Sequence, residues 1–75
     1  MQHTWTGRAA YALVERARAA GMGDGAICDT LAVSESTIRS WADNPKTEPR
    51  RATRAKLEAM ASRLDRAERR KEGAR

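Results

Sequence analysis

The sequence is short of the residues that many kinds of site require. Its 75 residues include one cysteine (Cys28), one histidine (His3) and no phenylalanine. A lone cysteine cannot close a disulfide within the chain, and one histidine with one cysteine cannot supply the ligand set of a zinc site. We therefore expect neither a disulfide framework nor a bound metal.

Longer patterns are missing as well. No run of about 18 apolar residues could span a bilayer, and the first five residues lack the basic and then apolar order of a signal peptide. There is no glycine-rich phosphate loop and no nucleophile beside a base that would activate it. The sequence thus predicts a cytoplasmic protein that is not an enzyme and that uses no cofactor, metal, membrane or small-molecule ligand.

What the chain does have is positive charge, and this charge is unevenly placed. The formal net charge is +5, from 15 Lys and Arg against 10 Asp and Glu. Residues 1–48 hold five basic and six acidic side chains, whereas residues 49–75 hold ten basic and four acidic. Clustered positive charge is typical of proteins that bind a polyanion, with nucleic acid the first candidate and a membrane surface the second. The alternative is that the arginines only keep a helix soluble.

Glycine and proline divide the chain into helical segments, which predicts an all-α fold. Thr4 or Thr6 can cap the first helix, which should end near Ala20, where Gly21 suits a left-handed stop. Its apolar residues recur at three- and four-residue steps, as in a helix that buries one side. They are Ala10, Leu13, Val14 and Ala17.

Two short helices and one long helix are predicted to follow. The first short helix runs from Asp24 to near Ala32, and the second covers residues 35–43 with Ser34 as its N-cap. The long helix covers residues 49–71, which makes a bundle of four or five helices. It exceeds what a core of this size needs, so its far end must fray, project or pack on another chain.

The segment 24–43 carries a specific pattern. Its apolar residues fall at relative positions 4, 8, 10, 15 and 18, and a small residue, Cys28, falls at position 5. This pattern resembles the helix-turn-helix of the phage repressor and Cro-like (XRE-type) family, in which the small residue lets two helices cross closely. The apolar residues are Ile27, Leu31, Val33, Ile38 and Trp41.

The resemblance implies a single helix-turn-helix domain over residues 1–72, with the motif at 24–43 and a disordered tail at 73–75. Several positions depart from the family pattern, among them one in the turn and one at the start of the motif. Ala32 stands at the turn position usually held by glycine, so it must adopt a positive φ at a cost of about 1 kcal/mol or use a different turn. Asp24 stands where the family often has glutamine, and its carboxylate would repel a phosphate.

The resemblance also implies which residues would contact DNA. The base-reading residues would be Glu35, Ser36, Arg39 and Ser40, with Arg39 the best candidate because a guanidinium can bind guanine through two hydrogen bonds. Alternatively, Arg39 contacts phosphate or pairs with Glu35, and Glu35 serves only the helix dipole. Phosphate contacts would come from Ser34, Thr37, Lys46, Thr47, Arg50, Arg51 and Arg54. Thr37 could instead contact a thymine methyl group, and the arginines could form only a solvated face.

Proteins of the family commonly bind inverted half-sites as homodimers. Leu57, Met60, Ala61 and Leu64 are the candidate dimer interface, and the alternative is that they only cover the core of one chain. The function that the resemblance implies is a sequence-specific regulator of transcription that binds double-stranded DNA, such as a phage or mobile-element repressor of the Cro-like or anti-CRISPR-associated type. The alternatives are a DNA-packaging module like a small terminase subunit, a recombination module, or an interaction protein that does not bind DNA.

Overall fold

In a computed structural model that describes residues 5–73, with side chains to residue 69, the chain forms four α-helices and no strand. The helices are α1 (Gly7–Ala19), α2 (Asp24–Leu31), α3 (Glu35–Asp43) and α4 (Arg51–Gly73). The predicted all-α fold with a long last helix is confirmed. Thr4 and residues 74–75 of the predicted tail lie outside the described residues. No helix of the described part is long and apolar enough to cross a membrane.

Helix α1 begins and ends as its sequence predicts. The hydroxyl of Thr6 accepts a hydrogen bond from the backbone N–H of Ala9 at 3.2 Å, which satisfies one of the free donors of the first turn. The four residues of the predicted apolar stripe are all buried. Gly21 follows the helix with a φ of 99°, a conformation that glycine adopts without a steric penalty.

The turn between α2 and α3 settles the conformation of Ala32. Its φ is 55° and its ψ is 44°, so an alanine occupies the left-handed region that glycine usually takes after a helix. The backbone N–H of Val33 donates to the carbonyl of Cys28 at 3.0 Å and closes the turn. Helix α3 then begins at Glu35, after its cap Ser34, and ends at Asp43.

The core is formed by one side of every helix. Its largest fully buried side chains are Trp41, Ile27, Leu31, Leu57, Met60 and Val14. Helix α3 packs mainly against α1, while α4 packs against α1 and α2. Burial of each such side chain stabilises the folded state by about 1.5–3 kcal/mol relative to its exposure to water. These contacts hold the four helices together although the chain has few large apolar residues.

The long helix α4 corrects the predicted dimer interface. Leu57, Met60 and Leu64 are only 0%, 1% and 7% exposed, and Ala61 is half-buried beside them. Leu57, Met60 and Leu64 therefore cover the core of one chain, as the alternative interpretation has it, and only Ala61 of the four keeps part of its side chain exposed, in a groove between α1 and α4. The helix also begins at Arg51 rather than at the predicted residue 49, because the carbonyl of Arg50 accepts the first helical hydrogen bond, from Arg54.

The far part of α4 is tied to α1 by an ion-pair cluster. Arg16 of α1 donates to the carboxylates of Asp65 at 2.9 Å and Glu68 at 3.1 Å. The hydrogen bond to Asp65, followed by the one to Glu68, raises the pKa of the Arg16 guanidinium above its ordinary value. All three side chains are exposed, so the cluster contributes at most about 1 kcal/mol, yet it fixes α4 beyond the last core residue, Leu64.

Candidate nucleic-acid interface

The exposed side of α3 is where the structure places most of the predicted base-reading residues. Glu35, Ser36 and Arg39 are exposed, and they lie outside the side of α3 that buries Ile38 and Trp41. Among the described residues, Arg39 forms no salt bridge with Glu35 or with any other carboxylate. The alternative of an ion pair within α3 therefore does not hold in this structure, and both charged groups face solvent.

Ser40 differs from these three residues in its exposure and in its hydrogen bonding. Its side chain is half-buried, and its hydroxyl donates to the backbone carbonyl of Thr37 at 2.7 Å. Because the hydroxyl proton of Ser40 is already donated within the helix, this side chain can accept a hydrogen bond from an approaching base but cannot donate one. The structure therefore groups Ser40 with the predicted phosphate contacts and away from Arg39.

The start of α3 is built around a hydroxyl pair. The Oγ of Ser34 accepts from the backbone N–H of Thr37 at 3.2 Å, as an N-cap does, and lies 3.1 Å from the Oγ1 of Thr37, with which it shares a second hydrogen bond. These bonds fix the direction in which α3 leaves the turn. Ser34 is therefore foremost a cap, and only its remaining hydrogen-bonding capacity is available to a phosphate.

Several of the predicted phosphate contacts meet at one groove. A mainly polar groove of about 440 Å³ runs between the turn before α3 and the loop after it. It brings together residues that are up to 21 positions apart in the sequence, from Ala32 to Thr53. The predicted contact residues that line it are Ser34, Thr37, Ser40, Thr47 and Arg50. Lys46 lines a separate shallow surface, whereas Arg51 and Arg54 line neither and are exposed at the start of α4.

The loop that carries Lys46 and Thr47 is held by the first turn of α1. The backbone N–H of Gly7 donates to the carbonyl of Thr47, and that of Arg8 donates to the carbonyl of Pro45 at 3.0 Å. These two amides lack partners within α1, so the loop satisfies them. The backbone of residues 44–47 is thus fixed relative to α3 without the use of loop side chains.

Gly7 permits this contact, and sequence reasoning missed it. A Cβ on Gly7 would lie 2.6 Å from the carbonyl oxygen of Asn44 and 3.0 Å from that of Trp41, too close for any other residue. The only signal in the sequence is a glycine directly after the cap residue Thr6, a position where helix formers are usually preferred.

A second groove lies on the other side of α3, and it changes the interpretation of Asp24. This groove, of about 270 Å³, is lined by both Glu35 and Arg39 of α3 and by residues of α1 and α2. In it, Arg18 donates to the carboxylate of Asp24 at 2.9 Å and lies 6.0 Å from the centre of the Tyr11 ring. Asp24 was expected to repel a phosphate, but the guanidinium of Arg18 compensates its charge.

Cys28 lines the same groove, and it is half-buried. Burial, together with the nearby carboxylate of Glu35, raises the pKa of its thiol above the ordinary value. The thiol is therefore neutral at pH 7, which agrees with its predicted role as a small side chain at the crossing of α2 and α3.

Among the described residues, no group of three or more His, Cys, Asp or Glu side chains is placed to hold a metal ion. A scan against protein-family models and searches of curated proteins and of solved structures find no match to this chain.

Proposed function

We propose that this chain binds double-stranded DNA in a sequence-specific way and regulates transcription by occupying an operator. The observation that carries the proposal is the arrangement around α3. Glu35, Ser36 and Arg39 are exposed together on one side of a short capped helix, and a polar groove with Thr47 and Arg50 flanks that helix. Exposed polar side chains on a helix, bordered by hydroxyl and basic groups, are what reading a base sequence from the major groove requires.

The dimensions of α3 are compatible with this role. Its 9 residues span about 14 Å at 1.5 Å per residue, and a helix of ordinary diameter fits a major groove that is about 12 Å wide. Arg39 would bind guanine through O6 and N7, and Glu35, one turn earlier, would accept from a cytosine amino group. Contacts from Thr47 and Arg50 to the flanking phosphates would set the register without reading sequence.

One such helix reads only a few base pairs, so selective binding needs two copies on an inverted repeat. We therefore propose a homodimer with half-sites about 34 Å apart, as is common for helix-turn-helix regulators. The surface that joins the copies must differ from Leu57, Met60 and Leu64, because these are buried within one chain.

The proposal is tested by separating sequence reading from backbone binding. We expect Arg39→Ala to lower affinity for the operator, sought first in the DNA upstream of the chain's own gene, by about 5- to 150-fold, the range for losing one bidentate base contact. Affinity for random DNA should change little. Arg50→Ala should weaken binding to both DNAs alike and make the salt dependence of log K shallower by about 0.9, one phosphate contact.

Arg69→Ala is the matched control, since Arg69 is an exposed arginine at the far end of α4 and its loss removes the same charge. Binding is measured by gel shift and by anisotropy at several salt concentrations. If Arg39→Ala, Arg50→Ala and Arg69→Ala reduced binding to operator and random DNA by the same factor, α3 would not be a reading helix.

A further inference from the structure

Helix α4 has an exposed basic side that the proposed function does not use. Lys56, Arg63 and Arg66 are all exposed, and their spacing of seven and three residues places them within about 80° of the helix circumference. Ala59 lies between them on the same side and is exposed as well. We call the surface formed by these four residues the outer face of α4.

The positive charge of the outer face is not compensated. Among the described residues, no carboxylate lies within 4 Å of a charged nitrogen of Lys56, Arg63 or Arg66. The carboxylates of α4 that the structure describes lie outside the outer face. Asp65 and Glu68 bind Arg16 of α1, and Glu58 lines the groove between α1 and α4. The charged groups of the outer face are thus all cations turned to solvent, whereas these three carboxylates lie on the side of α4 near α1.

The composition of the outer face restricts what can bind to it. A membrane-surface helix inserts large apolar side chains beside its cations, and the outer face has only alanine. A second copy of the chain would bring like charges together over the same alanine and bury little apolar area. The remaining candidate partner is a rigid polyanion, and the length of the outer face favours the backbone of DNA. The rise from residue 56 to residue 66 is about 15 Å, which corresponds to about four phosphates of one strand.

The position of the outer face separates it from α3. Helix α3 packs mainly against α1, whereas α4 packs against α1 and α2. The residue of α4 that lines the groove beside α3 is Thr53, which lies about 100° around the helix from the centre of the outer face. Each turns its polar side away from that core, α3 with Arg39 and α4 with Arg63. A duplex that contacts α3 and this groove would therefore approach α4 from a side other than the outer face.

From these observations we propose that the outer face of α4 is a second, sequence-independent binding surface for the phosphate backbone of DNA. One chain would then hold two DNA segments at once, one at α3 and one at α4, and could bridge distant sites. The outer-face contact goes beyond the proposed function and does not require that α3 read a sequence.

A two-duplex capture experiment tests this proposal. A random-sequence duplex of about 20 base pairs is fixed to beads, the protein is added, and retention of a second, fluorescent duplex of equal length is measured at several salt concentrations. We expect the wild-type chain to retain the second duplex. An outer-face variant, Lys56→Ala with Arg63→Ala and Arg66→Ala, should lower that retention by more than about tenfold through the loss of three phosphate contacts. Its affinity for a single duplex, measured by anisotropy with protein in excess, should change far less.

The matched control removes the same charge from the start of the same helix, through Arg50→Ala with Arg51→Ala and Arg54→Ala. This variant should weaken binding to a single duplex while leaving the outer face intact. All substituted residues are exposed and alanine favours helix, so circular dichroism should show both variants folded.

The outcomes separate the two proposals. Full retention of the second duplex by the outer-face variant would overturn the outer-face proposal, because two α3 helices of a dimer would then account for bridging. An equal loss of affinity for a single duplex in the two variants would overturn it too, since net charge alone would then govern binding. If only the outer-face variant lost DNA binding, and Arg39→Ala and the matched control lost none, the outer face would stand and the role proposed for α3 would fall.

Discussion

The two ends of α3 are held in different ways. At its start, the cap hydroxyl of Ser34, the left-handed Ala32 and the short turn all lie within six residues of the helix. At its end, the chain is held by the first turn of α1, where Gly7 lies against the backbone of Trp41 and Asn44 and donates to Thr47. Local hydrogen bonds fix the start of α3, whereas its end is fixed by a contact between residues that are close to 40 positions apart in the sequence.

The difference shows where the orientation of α3 comes from. Local caps contribute about 1 kcal/mol each and tolerate substitution, because water can replace a lost side-chain bond at an exposed turn. Where two backbone segments touch, as at the end of α3, an added atom can be accommodated only if the backbone itself moves. We therefore expect the end of α3 to be the more sensitive of the two to small changes, although no side chain with a functional group takes part there.

The largest effect is expected from Gly7→Ala, which breaks the contact at the end of α3. The added Cβ would meet the carbonyl oxygen of Asn44 at 2.6 Å, so backbone must move, at a cost of about 2–3 kcal/mol typical of overpacking. Urea unfolding measures this loss. DNA affinity should fall at the same time, since the loop with Lys46 and Thr47 shifts.

Gly25→Ala is the control for that substitution. Gly25 lies in α2 with nothing within 4 Å of an added Cβ, so the same change should raise stability by about 0.5–1 kcal/mol through helix propensity. Equal effects of the two substitutions would show that the close contact at Gly7 does not matter.

A smaller effect is expected from Ser34→Ala at the start of α3. The substitution removes the acceptor for the backbone N–H of Thr37, and loss of an N-cap of this type costs about 1 kcal/mol. Ser36→Ala, two residues later on an exposed position, should stay within about 0.5 kcal/mol of wild type. Thermal unfolding of the three proteins distinguishes the cap from a general effect of serine loss.

The smallest effect, and one of opposite sign, is expected from Ala32→Gly. Glycine removes the steric cost of the left-handed conformation but adds freedom to the unfolded chain, so we expect a net gain of about 0.5–1 kcal/mol. Ala26 lies within α2 and has ordinary helical backbone, so Ala26→Gly should lower stability by a similar amount. A loss of stability in both variants would mean that the turn at Ala32 carries no strain.

The local elements could be predicted from the sequence because their determinants lie close together. The spacing of the apolar residues, together with Ser34, Glu35 and Pro45, predicts one helix over residues 35–43, and α3 has those bounds. The pairing of Asp24 with Arg18 and the contact of Gly7 with Asn44 could not be predicted, because each depends on how α1 packs against other helices.

The stripe on α4 shows a further limit of sequence patterns. Leu57, Met60 and Leu64 recur at helical spacing, which predicts that this side of the helix is covered but not by what. The structure shows that α1 and α2 cover it. A periodic pattern has the same form for an intramolecular core and for an interface between chains, so only the packing of the other helices decides between them.

The hydrogen bonds that fix the loop between α3 and α4 also determine which of its residues can be varied by mutagenesis. These hydrogen bonds join only main-chain atoms: the N–H groups of Gly7 and Arg8 donate to the carbonyls of Thr47 and Pro45. A backbone carbonyl accepts in the same way whichever side chain its residue carries. A library that randomises Lys46 and Glu48 should therefore keep its scaffold intact while varying charge next to α3. Selection from such a library would tune affinity for DNA without first having to repair the fold.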